Sequence, residues 1–242
     1  MLYIDCSEGL SGDMLLAALL GLVPSKRREP MIKGISKAAE NRGIAFTVLD
    51  MEEGGETGLG ISYSANDTPA EETSYADAFS LLNELSSELG SKSELPGKAL
   101  GMIFEAEAEA HGLPAKEVHL HELGRPQALL NLAGIGLAHS QIVGSKAEEV
   151  VASTITTGKG IVVVSHGVVR VPAPAAYILL RGLVNVPGDD PGERATPSGI
   201  AAVKAMISRQ SDQAPAKPGA ASIGFGTKRF GGRLGRTTIL RT

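Results

Sequence analysis

The chain has 242 residues, 43% hydrophobic and 21% charged, with a formal net charge of −4. That length buries a sizeable core, as one large domain or as two lobes, about 1–145 and 146–242. The acidic balance argues against nucleic acid drawn by net charge, and a chain with no Trp and 4% aromatics is poor in stacking platforms for bases or sugars.

Cys6 is the single cysteine, so no intramolecular disulfide forms, and a reducing cytoplasm is the expected compartment. The first apolar stretch, LLAALLGLV at 15–23, follows Asp5, Glu8 and Asp13 instead of a basic segment. It reads neither as a signal peptide nor as a membrane span.

In chain order, LYIDC (2–6) predicts a short buried strand and SEGLSGD (7–13) a turn, with Ser11 as N-cap of the helix DMLLAALLGL. A second helix is expected over 30–42, stopping at Gly43, then a strand at 45–50 partnered by 58–65. SANDTPAEETS (64–74) predicts an exposed loop, and helices are expected over 75–90 and 96–111. The second of these places Glu105 and Glu109 on one face and Glu107 well round from them.

VHLHE (118–122) reads as a very short strand or an extended lead into a helix with Pro126 in its first turn. From about 148 the pattern turns to strands: EVVASTIT, GIVVVS and VVRVP. PAPAAYILLRG (172–182) and TPSGIAAVKAMIS predict helices, the latter capped by Thr196 with Pro197 at the first helical position. SRQSDQAPAKPGA (208–220) reads as a flexible connection before two last strands, ASIGFGT and TTILRT. Helices and strands mix without strict alternation, which predicts an α+β (mixed α/β) class and not a simple Rossmann fold.

Four stretches carry candidate chemistry. In VHLHELG an extended backbone puts His119 and His121 on one side, where two imidazoles can converge on a cation, and a bend towards Gly124 brings Glu122 round. Imidazole and carboxylate suit Zn, Ni, Fe or Mn, and His111, eight residues upstream, can join them. A polar turn with half-exposed histidines is the alternative.

DCSEGLSGD is the second stretch: a strand ending at Asp5, a turn through Gly9, then the free amides of Ser11, Gly12 and Asp13 at a helix start, a geometry that holds anions. Asp5 and Asp13 repel a bare phosphate, so a bridging metal would help; plain capping accounts for Asp13 equally. Third, GFGTKRFGGRLGRTT sets Lys228, Arg229, Arg233 and Arg236 among glycines with no acid between them, which suits a phosphate or a solvated basic edge. Fourth, His166 in SHGVVRVPAPA reads as a further ligand, an acid–base group or a satisfied loop residue. His139, near a helix end, reads as a partner of the helix dipole. No G-x-S-x-G and no phosphate-loop motif occurs.

DCSEGLSGDMLLAAL, AEAEAHG, VHLHELG, TGKG followed by SHG and VPAPA, ATPSGIA, and GFGTKR with TILR occur in that order over residues 2–241. Together they resemble the N-terminal part of the nickel insertion proteins of LarC type. The resemblance implies insertion of nickel into a pyridinium bisthiocarboxylate mononucleotide, with a carbon–nickel bond formed and CTP consumed, in the lyase class. It implies Ni2+ held near His119, His121 and Glu122 with His111 and His166 as helpers. It also implies substrate contacts from Asp5, Gly9, Ser11, Gly12 and Asp13, and neutralisation of the phosphate by Lys228 and Arg229.

Four departures accompany it. The family continues into a domain that handles CTP, with Mg2+ or Mn2+, where this chain ends at Thr242, so a separate domain or partner chain is expected to supply CTP. A histidine-rich stretch is missing. TSYADAFSLL stands where the family often has His-Arg-His, and Gln127 and Asn131 stand where it has two aspartates. The chain is therefore expected to be one part of a split or divergent enzyme, with a homo-oligomer as one open form of assembly. The alternatives are a non-catalytic metal- or nucleotide-binding protein and a hydrolase using metal-bound water.

Overall fold

The computed structural model describes residues 1–65, 72–120, 124–144, 148–164 and 167–242. Its first half runs β1 (Leu2–Asp5), α1 (Gly12–Leu22), α2 (Ser25–Glu40), β2 (Ile44–Glu53), β3 (Glu56–Ala65), β4 (Thr73–Ser74), α3 (Tyr75–Glu88), α4 (Leu95–His111), β5 (His119–Leu120) and α5 (Pro126–Val143). The second half runs β6 (Val150–Ala152), β7 (Ile155–Lys159), β8 (Ile161–Val164), β9 (Gly167–Arg170), α6 (Pro174–Leu179), β10 (Asn185–Pro191), α7 (Pro197–Met206), β11 (Arg209–Gln210), β12 (Ala220–Phe230) and β13 (Arg233–Arg241).

Seven strands form one mixed sheet in the order β11-β6-β1-β13-β12-β3-β2. The chain's two ends meet at its centre, where β1 pairs antiparallel with β13 and parallel with β6. The hairpin β12–β13 then pairs parallel with β3, whose antiparallel partner β2 closes one edge. Three small two-stranded sheets, β10–β7, β4–β5 and β8–β9, complete an α+β fold.

α1 is apolar nearly all round, and a helix of that kind belongs in the interior. Its residues from Met14 to Leu20 are all buried, between β12, β13 and β3 on one side and α5 on the other. The close approach needs Gly224, where a Cβ would overlap the Met14 carbonyl on the facing helix. α5 is equally apolar and buries Leu129 to Ala138 between α1, α3 and α4. Around these two helices, α4 packs on α6 and α7, and α2 on β2.

Several boundaries differ from the sequence expectation. The second helix begins at Ser25 and not at 30, carrying Pro30 inside it. Proline there forfeits a backbone bond, and the buried stripe, Met31, Ile35, Ala38 and Ala39, lies after it. The connection 208–220 contributes the edge strand β11, which pairs parallel with β6. β10 escaped sequence reading because NVPGDDP has no alternation and two prolines, and its register on β7 shifts between Pro187 and Pro191. Of the predicted loop 64–74, residues 66–71 lie outside the described residues, and Thr73–Ser74 forms β4.

Candidate ligand-binding cavity

The turn after β1 is tied at both ends. Asp5 Oδ1 accepts from the Ser7 amide at 2.9 Å, and the Gly9 carbonyl accepts from Thr237 Oγ1 at 2.9 Å. Gly9 itself has φ +140°, a conformation an L side chain rarely adopts. Leu10 then docks beside Ala195: its amide donates to the Arg194 carbonyl at 2.9 Å, and the Thr196 amide donates to the Leu10 carbonyl at 2.8 Å. Those two bonds hold the starts of α1 and α7 side by side. Both caps predicted from sequence are formed, Ser11 Oγ accepting from the Met14 amide and Thr196 Oγ1 from the Gly199 amide.

A cavity of about 520 Å³ opens in front of these two starts. Ser11, Gly12 and Asp13 line it from α1, and Thr196, Pro197 and Ser198 from α7. The start of α5 adds Arg125, Gln127 and Ala128, and deeper along that helix Asn131 reaches the wall. Glu107 and His111 line it from the end of α4, His119 from β5, and Tyr63 from β3. Three helices of ten residues or more, α1, α5 and α7, thus begin at the rim of one space.

Two interactions organise the wall at α1. Ser11 Oγ donates to Asp13 Oδ1, fixing that carboxylate across the first turn. Tyr63 Oη donates to Asn131 Oδ1 at 2.7 Å. Burial and, after it, the nearby Asp13 charge drive the Tyr63 hydroxyl far above its ordinary range, so it stays a donor. At the α4 end, His111 Nε2 lies 3.5 Å from Glu107 Oε2, one helical turn away.

Of the residues predicted from sequence, Ser11, Gly12, Asp13, His111 and His119 lie on this one cavity. Asp5, Gly9, Lys228 and Arg229 are not among its lining residues. Asp5 is used within its own turn and by Ser153 Oγ at 3.4 Å. The basic tail is the β12–β13 hairpin, and its cations face carboxylates. Arg229 holds Glu53 at 2.7 and 3.4 Å, Arg236 meets Glu8 and Glu56, and Lys228 stands 3.8 Å from Glu193, itself a lining residue. The hydrogen bond from Arg229 holds the Glu53 carboxyl below its ordinary range. His121, Glu122 and His166 lie outside the described residues. Among the described residues no group of three His, Cys, Asp or Glu side chains is placed to hold a metal ion.

Tyr63, Glu193 and Ser198 entered the site without being predicted as site residues, whereas Asn131 was singled out only as a departure from the family's aspartate. Tyr63 reads as one more residue of an alternating strand, and Asn131 as an interruption of an apolar helix. Polarity was a further signal in apolar helices: Asn131 and Ser198 are two of the five buried polar residues among those described. His139 also differs from expectation. Its Nε2 is buried without a partner, and burial lowers its pKa, so the ring is not a cation on the helix dipole.

The cavity of this α+β fold is thus framed by helix starts, two histidines and three carboxylates. Residues 2–241 match the model of the nickel insertion protein family, and the chain belongs to that family. It is 29% identical over 241 residues to the "pyridinium-3,5-bisthiocarboxylic acid mononucleotide nickel insertion protein" of Geobacillus kaustophilus, covering 94% of this chain and 56% of that protein. The Clostridium kluyveri protein of the same name is 32% identical over 216 residues, covering 83% of this chain and 52% of its own. A "putative nickel insertion protein" of Syntrophobacter fumaroxidans is 35% identical over 214 residues, covering 84% and 50%. The chain thus spans about half the length of the curated relatives it matches. No solved structure matches it. No helix among the described residues is long and apolar enough to cross a membrane.

Proposed function

We propose that this chain binds the mononucleotide and the Ni2+ ion of a nickel insertion reaction, in which nickel is a substrate. The carrying observation is that His111 and His119 line the same cavity as Ser11, Gly12 and Asp13, although these residues come from three separate elements. The mononucleotide occupies the cavity. Its phosphate lies by Arg125, whose guanidinium offers two parallel donors beside the start of α5. Nickel approaches from the His111 and His119 end, with His121, Glu122 and His166 as the further donors; imidazole and carboxylate are suitable ligands for it.

Formation of the carbon–nickel bond, use of CTP with Mg2+ or Mn2+, and assignment to the lyases belong to the same proposal. CTP is handled outside the residues described here, by a separate domain or chain. The neutral Gln127 and Asn131 on the cavity wall favour a second reading, a binding protein that holds nucleotide or metal without turning it over.

The test is metal analysis of protein prepared without an affinity tag, together with cofactor formation from substrate, nickel and CTP. One nickel per chain that is lost in His119→Ala/His121→Ala supports both readings. Absence of nickel from the wild type after loading overturns the enzyme and the metal-binding form of the second reading, and leaves only a nucleotide-binding protein. Nickel bound with no product, even with a CTP-binding partner supplied, leaves the binding-protein reading standing and removes the enzyme.

A further inference from the structure

The α1 end of the cavity is not built for an oxyanion. Arg125 is the one Lys or Arg among the described lining residues, against the carboxylates of Asp13, Glu107 and Glu193. Asp13 sits in the first turn of α1 itself, where it would repel a phosphate bound to those amides. What surrounds Gly12 is instead a mixture of donors and acceptors. A Cβ on Gly12 would lie 3.2 Å from Ser198 Oγ and 3.6 Å from Asn131 Nδ2, so both groups crowd the space left by the missing side chain.

Asn131 is 8% exposed, and its carboxamide is half used. Oδ1 accepts from Tyr63, which fixes the amide plane, while Nδ2 makes no hydrogen bond among the described residues. Asp13 is half used in the same way: Oδ1 accepts from Ser11, leaving Oδ2. Nδ2 is therefore an amide donor without a protein partner on the cavity wall, where a ligand acceptor can meet it. One amide donor, one carboxylate acceptor and the Ser198 hydroxyl, which can do either, match neutral hydroxyl groups and not a charged one.

We propose that this corner is a ribose subsite: Asn131 Nδ2 donates to the 2′-hydroxyl of the mononucleotide, Asp13 accepts from its 3′-hydroxyl, and Tyr63 is the positioning residue that aims Asn131. The proposal rests on the reading that the cavity holds a mononucleotide, and names the part of it recognised here. A carboxylate accepting from a ribose hydroxyl is a recurrent device in nucleotide sites. A 2′-deoxyribose would leave Asn131 Nδ2 without its acceptor, and a site built to pair a hydroxyl rejects the analogue that lacks it.

The test is calorimetric titration of the full chain with nicotinate mononucleotide, a pyridinium ribonucleotide, and with its 2′-deoxy analogue. The wild type is expected to bind the ribonucleotide about tenfold or more tighter than the deoxy form. In Asn131→Ala that preference falls to about twofold or less, chiefly through weaker binding of the ribonucleotide. Tyr63→Phe removes one oxygen and no packing, and is expected to reduce the same ratio while far-UV circular dichroism stays unchanged. A purely structural Tyr63 would lower both affinities together and leave the ratio intact, which overturns its positioning role. Equal binding of the two nucleotides by the wild type overturns the ribose subsite while the nucleotide-binding reading survives. Binding of neither overturns both.

Discussion

The Thr196 amide donates to the Leu10 carbonyl at 2.8 Å, and the Leu10 amide donates to the Arg194 carbonyl at 2.9 Å. These bonds join segments far apart in sequence, and they set the spacing between the first turns of α1 and α7. Because the ligand groups of one side stand on those turns, the site's width is a backbone property before any side chain acts.

That spacing depends on Gly199. A Cβ there would lie 2.8 Å from Ser11 Cα and 2.9 Å from the Leu10 carbonyl oxygen, both backbone. Neither can rotate away, so Gly199→Ala must push α7 off the turn. Overpacking of this kind costs ~1–3 kcal/mol. Urea unfolding is expected to show that loss together with weaker nucleotide binding. Unchanged stability and affinity would mean that the turn and α7 move apart freely.

The two caps separate stability from assembly. Ser11→Ala and Thr196→Ala each remove the hydroxyl that accepts a first-turn amide, a loss of ~1 kcal/mol. α1 is buried along nearly its whole length and cannot fray independently, so its cap should count in full towards global unfolding. Chemical denaturation of both variants checks this; a Ser11→Ala protein as stable as the wild type would sink it.

How much of this was legible in the sequence follows from range. Ser11 and Thr196 as caps, Pro126 and Pro197 at helix starts, and the β2–β3 pairing are local, and each was read from a few adjacent residues. The meeting of helix starts is not local. Tyr63 and Asn131 bond across 68 residues, and nothing around Tyr63 in GLGISYSA announces it. The basic run at 224–238 shows the opposite case: the absence of acids nearby in sequence suggested cations open to a phosphate, but folding brings Glu53, Glu8 and Glu56 against them from elsewhere.

His139 predicts a pH effect on stability. Its pKa is lowered from 6.5, chiefly by burial, against the opposing pull of Glu148. A depressed histidine pKa means the fold favours the neutral ring. Stability is therefore complete above the unfolded value, about 6.5, and declines as pH falls from there towards the folded value. His139→Leu removes this proton uptake, and the loss of unfolding free energy between pH 7.5 and pH 5 is expected to shrink. The lowered carboxyls of Glu88, bonded by Arg42, and Asp212, bonded by Thr154, add their own losses at lower pH in both proteins. An identical decline in the variant would show that His139 is not the group responsible.

Gly12 gives the sharpest separation of fold from site. Its backbone is helical, so alanine meets no conformational barrier and gains up to ~1 kcal/mol of helix propensity. Against that, the new methyl stands 3.2 Å from Ser198 Oγ and 3.3 Å from Asn131 Cβ, close enough that the serine must turn. The two effects oppose each other, and the unfolding free energy of Gly12→Ala is expected to stay within about 1 kcal/mol of the wild type. Binding has no such compensation. The methyl fills the space between the Ser198 hydroxyl and the Asn131 amide, displacing whatever lies there, and mononucleotide affinity should fall by about tenfold. Thermal unfolding and calorimetric titration of the same preparation measure both. A variant that folds normally and binds as tightly as the wild type would place the ligand elsewhere in the cavity.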